Sequence, residues 1–299
     1  MVLRVLLLLF GVSACATAVI MIKTRPASMH PVLLASYRLF VAAVALTPLL
    51  VRDWRRRRGQ VRLGDLKVAL LPGAMLGLHF VTWIIGAEKP PAANVSLIVN
   101  MVPIVMPFFL FVLIRERLTK AELLATVIAM AGLAVLGAKD FDSSREFFIG
   151  DAICFASMLL YAFYLALGRK YRRFGSIWLY LVPLYYVAAV FCLLGALPFT
   201  NPIRAYSLHE VLLAVGLGLV PTVIGHSILN YSMRHIRGQV VSLINLSQFV
   251  FAGIMGYAFY SEVPNWSLFV AAAGVVAGAV LVLRSQARSA RDVCPRSRS

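Results

Sequence analysis

The chain is poor in charge and poorer still in acid. Of 299 residues only 14% are charged, against roughly 25% in an ordinary soluble domain, and Asp and Glu together number 12. That shortage excludes a soluble globular fold. The four cysteines, Cys15, Cys154, Cys192 and Cys294, show neither CxxC spacing nor a disulfide framework, so metal and redox chemistry lack residues in a suitable pattern and no cofactor is expected. Short alternating strands are missing too, which argues against a membrane barrel. The formal charge of +17 invites a nucleic-acid reading, but no aromatic-interleaved basic surface or soluble module accompanies it.

What is present is apolar length. Hydrophobic residues make up 61% of the chain, arranged in ten runs at 2–22, 31–51, 67–88, 92–114, 120–138, 149–168, 176–199, 208–232, 238–260 and 264–283. A helix needs about 20 residues to cross a hydrocarbon core of about 30 Å. Peptide groups in lipid have no water to bond, so each run is predicted as a helix and the fold as an all-α bundle of ten membrane spans. Met1 to Ala18 resembles a signal peptide, and Val12-Ser13-Ala14-Cys15 a lipoprotein cleavage site. Nine further apolar runs follow where a secreted lipoprotein would turn polar, so the first run is read as a span.

The basic residues record orientation. With the N-terminus inside, 22 Lys and Arg fall on the cytoplasmic side, six outside, and Arg38 within the second run. Both termini are therefore expected in the cytoplasm. The Arg55-Arg56-Arg57-Arg58 cluster is read as a topology determinant that contacts anionic lipid headgroups.

Displaced by 146 residues, the chain matches itself. Val41-Ala42-Ala43-Val44 falls on Val187-Ala188-Ala189-Val190, Ser96-Leu97-Ile98 on Ser242-Leu243-Ile244, Glu116 on Glu262, and Ala131-Gly132 on Ala277-Gly278; a one-residue gap brings His79 onto His226. The unit holds five helices, so the second copy enters the membrane from the opposite side, the inverted-topology architecture of secondary transporters. The expected organisation is a first repeat at 1–138, a second at 149–283 and a basic tail at 284–299.

These residues carry a resemblance. Ser36-Tyr37-Arg38-Leu39-Phe40-Val41-Ala42-Ala43, the stretch Pro91-Ala92-Ala93-Asn94-Val95-Ser96-Leu97-Ile98 before Pro103, and Glu116-Arg117-Leu118-Thr119 with Ala131-Gly132 resemble the EamA-type permeases of the drug/metabolite transporter superfamily. Gly238-Gln239-Val240-Val241-Ser242-Leu243-Ile244, Glu262-Val263-Pro264 and Ala277-Gly278 repeat the pattern. The resemblance implies two tandem EamA repeats in a bacterial inner membrane and export or exchange of amino acids or other small metabolites. It also implies a contrast: the small multidrug-resistance relatives couple to protons through a first-helix glutamate, and no carboxylate stands in Ser13–Ala18 or Ala156–Tyr161.

Polar side chains in spans are costly and tend to face an interior or a path. His79 with Trp83, and His226 with Asn230, each sit four residues apart on one helical face and superpose in the repeat. They are expected to line a common cavity with Ser96, Asn100, Ser242, Asn245 and Gln248, unless these groups serve as interhelical hydrogen bonds. Tyr161 and Tyr164 are expected to add an aromatic wall or to pack. Pro103 and Pro107 are expected to loosen the fourth run. Arg38 is either one half of a gate ion pair, with Glu88, Asp151 or Glu262 supplying the counter-charge, or a structural arginine held by backbone carbonyls. Glu116 reads as the cap of a turn, and Gly274 with Gly278 as a packing face for a neighbouring helix or for a second subunit in a homodimer. The expected function is a non-enzymatic secondary transporter moving a small metabolite by alternating access; the alternative is a membrane-embedded enzyme acting on a lipid or isoprenoid, which would call for paired acids, a metal cluster or a nucleophile with its base.

Overall fold

A computed structural model describes residues 2–87, 92–138, 144–145 and 147–293. Glu88, one of the expected charge partners, lies outside them, as does the side chain of Ser96. Among the described residues ten helices are long and apolar enough to cross a membrane: Val2–Lys23 (span 1), Pro31–Arg56 (span 2), Leu63–Gly86 (span 3), Leu97–Ile114 (span 4), Lys120–Gly137 (span 5), Phe148–Lys170 (span 6), Ile177–Ala196 (span 7), Leu208–His235 (span 8), Gly238–Tyr260 (span 9) and Trp266–Ser285 (span 10). Among the described residues there is no strand. The chain is a ten-helix integral membrane bundle.

Several helices outrun the hydrocarbon length that the apolar runs measure. Span 2 continues past the expected residue 51 to Arg56, and the last helix continues to Val293. Helical hydrogen bonding needs no lipid, and Arg55 and Arg56 in a final turn complement the negative end of the helix dipole. Span 3 begins earlier than expected, in a 3₁₀ turn at Leu63–Ala69. Span 8 departs further, with a π-helical stretch at Gly218–His226 that contains Pro221; wider turns of this kind cluster at functional positions.

The two halves are interleaved rather than side by side. Span 1 packs on span 8 and span 3 on span 6, contacts that the repeat exchanges, while span 2 packs on span 7 and span 5 on span 10. The last pair shows the pseudo-two-fold most directly. A Cβ on Gly132 would meet the Ala271 Cα at 3.2 Å, and one on Gly278 would meet the Ala125 carbonyl oxygen at 2.7 Å. Gly132 and Gly278 are repeat mates, as are Ala125 and Ala271. Small residues thus allow backbone approach across the axis. The Gly274/Gly278 face is therefore used within the chain: a Cβ on Gly274 would meet the Ile128 carbonyl oxygen at 3.1 Å, so a second subunit would need another surface.

Gly278→Leu is expected to force these helices apart and cost about 1–3 kcal/mol as overpacking. Gly64→Ala, where an added Cβ meets nothing within 4 Å, is expected to be neutral. Thermal unfolding in detergent, followed by size-exclusion recovery, distinguishes the two.

Candidate functional site

The site begins with two broken helices. In the first half, Ala92–Val99 stops and Val102–Ile114 resumes after a turn at Asn100 and Met101; in the second, Gly238–Asn245 stops and Gln248–Tyr260 resumes after Leu246 and Ser247. Ala92 and Gly238, Val99 and Asn245, Val102 and Gln248, and Ile114 and Tyr260 are each 146 residues apart. Irregular backbone at membrane depth is stable only where protein or a cavity supplies partners, and the breaks face such a space. It is a cavity of about 610 Å³ between the halves.

Of the expected site residues, His79 and Trp83 from span 3, Asn100 from span 4 and Tyr161 from span 6 line this cavity, joined by Arg38 from span 2. The second half adds His226, Ser242, Asn245 and Gln248. The rings form a continuous cluster, stacked about His79 and edge-on or tilted about His226. His79 lies 4.7 Å from Tyr161 and 6.5 Å from Trp83, His226 lies 6.4 Å from Tyr161 and 6.2 Å from Phe80, and the Arg38 guanidinium sits 4.9 Å from the Phe80 centroid. His79 Nδ1 is 3.0 Å from the Ser157 carbonyl oxygen, and the Ser157 hydroxyl donates to the His79 carbonyl at 2.8 Å. The Ser157 hydroxyl also lies 2.8 Å from His79 Nδ1, so this one serine holds the ring from its carbonyl and its side chain.

Two expected wall residues stand elsewhere. Tyr164 and Asn230 are buried against each other, the Asn230 Nδ2 donating to Tyr164 Oη at 2.5 Å and to the His226 carbonyl at 2.9 Å. They brace the helix carrying His226 instead of lining the cavity. The expected counter-charges of Arg38 are also arranged differently. Glu262 pairs with Lys23, and Asp151 stands in the first turn of span 6. Arg38 Nε instead donates to Thr222 Oγ1 at 3.1 Å, a hydroxyl presented by the π-helical stretch, while Thr222 donates to the Leu217 carbonyl.

Cys15, Phe80 and Phe249 also line the cavity and were not among the expected site residues. The repeat carried the signal for two of them: Cys15 is the mate of Tyr161, and Phe249 the mate of Pro103, another lining residue.

The cavity is bounded at the basic end, where loops 57–62, 115–119, 171–176 and 236–237 gather, by contacts across the halves. Glu116 is far more than a turn cap. Arg169 Nε donates to its Oε2 at 3.0 Å and the Gly238 N–H to its Oε1 at 3.1 Å, and Arg169 Nη1 also reaches the Met233 carbonyl. Arg237 donates to Glu122 at 2.5 and 3.0 Å and to the Arg117 carbonyl; the Glu122 hydrogen bond raises the affinity of Arg237 for its proton. Gln239 Nε2 completes the seal, donating to the Pro103 carbonyl and Thr126 Oγ1.

The opposite end repeats this device in weaker form. Glu262 is the mate of Glu116, and Lys23 the mate of Arg169. Arg115 and Ser261 close their helices at matching left-handed φ of 57° and 55°, and the N–H groups of Glu116 and Glu262 each return to a carbonyl six residues back at 3.3 Å. Burial separates the pairs: the Arg169 and Glu116 side chains are 8% and 9% exposed, the Lys23 and Glu262 side chains 38% and 56%. The Glu122–Arg237 pair maps onto Leu268 and Pro91 and so has no counterpart.

Comparison with known proteins follows the same division. A protein of Archaeoglobus fulgidus called an uncharacterized transporter is 25% identical over 250 residues, covering 83% of this chain and 84% of that protein. A crystal structure of a protein superposes with a TM-score of 0.79 at 18% identity, covering 94% of this chain and 98% of the other, a likeness of fold. The EamA-like transporter family matches twice, over residues 2–138 and 148–284. Two tandem repeats of one family unit, folded around a shared cavity, place the chain in the EamA-like transporter family, as a multi-pass membrane transporter.

Proposed function

We propose that the protein is an alternating-access secondary transporter for an amino acid or related small metabolite, exported where the gradient runs outward, in a bacterial inner membrane with both termini cytoplasmic. The two halves, 1–138 and 149–283, move around the cavity, and residues 284–299 form a basic tail. His79, Trp83, Asn100 and Tyr161 from one side and His226, Ser242, Asn245 and Gln248 from the other make up the binding surface, with Ser96 beside them on its helix. Basic loops hold the cytoplasmic face to anionic lipid headgroups.

One observation supports the reading above others: the same glutamate–cation latch stands at both ends of the cavity, related by the repeat but unequally buried. Breaking a buried pair by removing one partner costs about 3–5 kcal/mol, whereas an exposed pair contributes about 0–1 kcal/mol. The structure then corresponds to a state closed at the basic end, and the exchanged state opens Glu116–Arg169 and Glu122–Arg237.

Reconstituted protein is expected to show counterflow of amino acids or related metabolites in liposomes; no uptake of any compound class under counterflow or an imposed gradient would overturn the transporter mechanism. His79→Ala and His226→Ala are each expected to lower counterflow about ten-fold, the equivalent of about 1.4 kcal/mol of lost contact, with normal membrane insertion. For the latch, Ser242→Cys in a chain whose native cysteines are alanine reports access to the cavity. Adding Glu116→Gln is expected to raise its labelling by an impermeant maleimide from the cytoplasmic side several-fold, while Glu262→Gln leaves that rate unchanged.

A further inference from the structure

Arg38 holds a permanent charge inside the bundle, and among the described residues no carboxylate pairs with it. It is 4% exposed and lines the cavity. A buried cation at membrane depth is costly unless something compensates it. Two weak compensations are visible: the Thr222 hydroxyl accepts from Nε, and the Phe80 face lies beneath the guanidinium. Guanidinium has five N–H donors, so the four on Nη1 and Nη2 have no described protein acceptor. A purely structural arginine would spend them on backbone carbonyls, as nearby Ser36 spends its hydroxyl on the Ala189 carbonyl.

The rest of the cavity agrees in sign. Among its described lining residues there is one permanent cation and no acid, so the field inside favours an anion. His226, whose ring lies 6.2 Å from that of Phe80, has its Nδ1 buried without a described protein partner. A cationic ligand would be repelled; a neutral ligand that excluded water could accept hydrogen bonds from some of the four Arg38 donors but would leave the buried charge uncompensated. An oxyanion satisfies them in pairs, because the guanidinium fork matches carboxylate geometry. The adjoining walls are aromatic, from Phe80, Trp83, Tyr161 and Phe249, and suit an apolar body.

We propose that Arg38 anchors the carboxylate of the transported molecule, whose apolar or aromatic remainder lies against Phe80, Trp83 and Tyr161. The inference rests on the transporter reading and adds a substrate class to it: organic acids, amino acids among them, rather than amines or neutral amides.

The experiment is counterflow into proteoliposomes with matched pairs that differ only in charge at one end: phenylalanine and phenylalaninamide, leucine and leucinamide, phenylpropionate and phenylpropionamide. Acids are expected to exchange about ten-fold or more faster than their amides. In Arg38→Gln the preference is expected to fall below about two-fold, while Arg38→Lys, which keeps charge but loses the fork, retains part of it. Should Arg38→Gln fail to insert, the wild-type pairs and Arg38→Lys decide the matter alone. Amides exchanging as well as acids, or an acid preference that survives Arg38→Gln, overturns the assignment and leaves the transporter reading standing. If no compound of any class is exchanged, the transporter reading falls. Thermal stabilisation of the purified protein by the same pairs then judges Arg38 separately, and equal or absent stabilisation by acids and amides overturns it.

Discussion

Hydrocarbon offers a peptide group no partner, and this one constraint organises the molecule. It turns every apolar run into a helix, and it confines each departure from regular helix to a place where protein or cavity can supply hydrogen bonds. Both breaks, after Val99 and after Asn245, border the cavity, and the π-helical stretch ending at His226 supplies the hydroxyl that holds Arg38. The polar groups that make up the site are thus the groups a lipid-facing position could not accommodate.

The inverted repeat then determines how those irregularities are shared. It reproduces helix boundaries, left-handed caps and single hydrogen bonds at a constant offset, so the backbone is close to symmetric. Side chains are not. Arg38 maps onto Leu184, Trp83 onto Asn230, and Glu122 onto Leu268, which leaves the one cation among the cavity's described lining residues in the first half and the Glu122–Arg237 pair at one end. A symmetric scaffold allows two packings of related geometry; the asymmetric side chains make them chemically different.

The fold was legible because membrane helices are long and each run nearly uniform in composition. Ends were less so, since Arg55 and Arg56 are poor membrane residues but good final-turn residues. Within the site, four-residue spacing grouped His79 with Trp83, and both line the cavity, but spacing identifies a face and not what the face meets: Asn230 shares the His226 face yet turns to Tyr164. The partner of Arg38 depended on the π-helical register of 218–226, which shifts Thr222 relative to a regular helix and leaves no trace in hydrophobic periodicity. The Glu116–Arg169 contact joins span ends 53 positions apart, so it required the packing of two halves. Its mate at Lys23 and Glu262 could have been written down from the offset once the first was known.

On the alternating-access reading proposed above, the unequal burial of the two latches bears on what the empty carrier does between turnovers. A difference of about 1.4 kcal/mol between the two packings makes one ten-fold more populated, and a ligand arriving at the rarer packing binds with an apparent affinity reduced by that population. The two faces of the membrane would then see different half-saturation concentrations for one and the same site. Net direction is untouched, because a passive cycle must return to its starting packing and only the substrate gradient does work. On that reading the buried ion pairs at the basic end set where the carrier waits, and the gradient sets which way it carries.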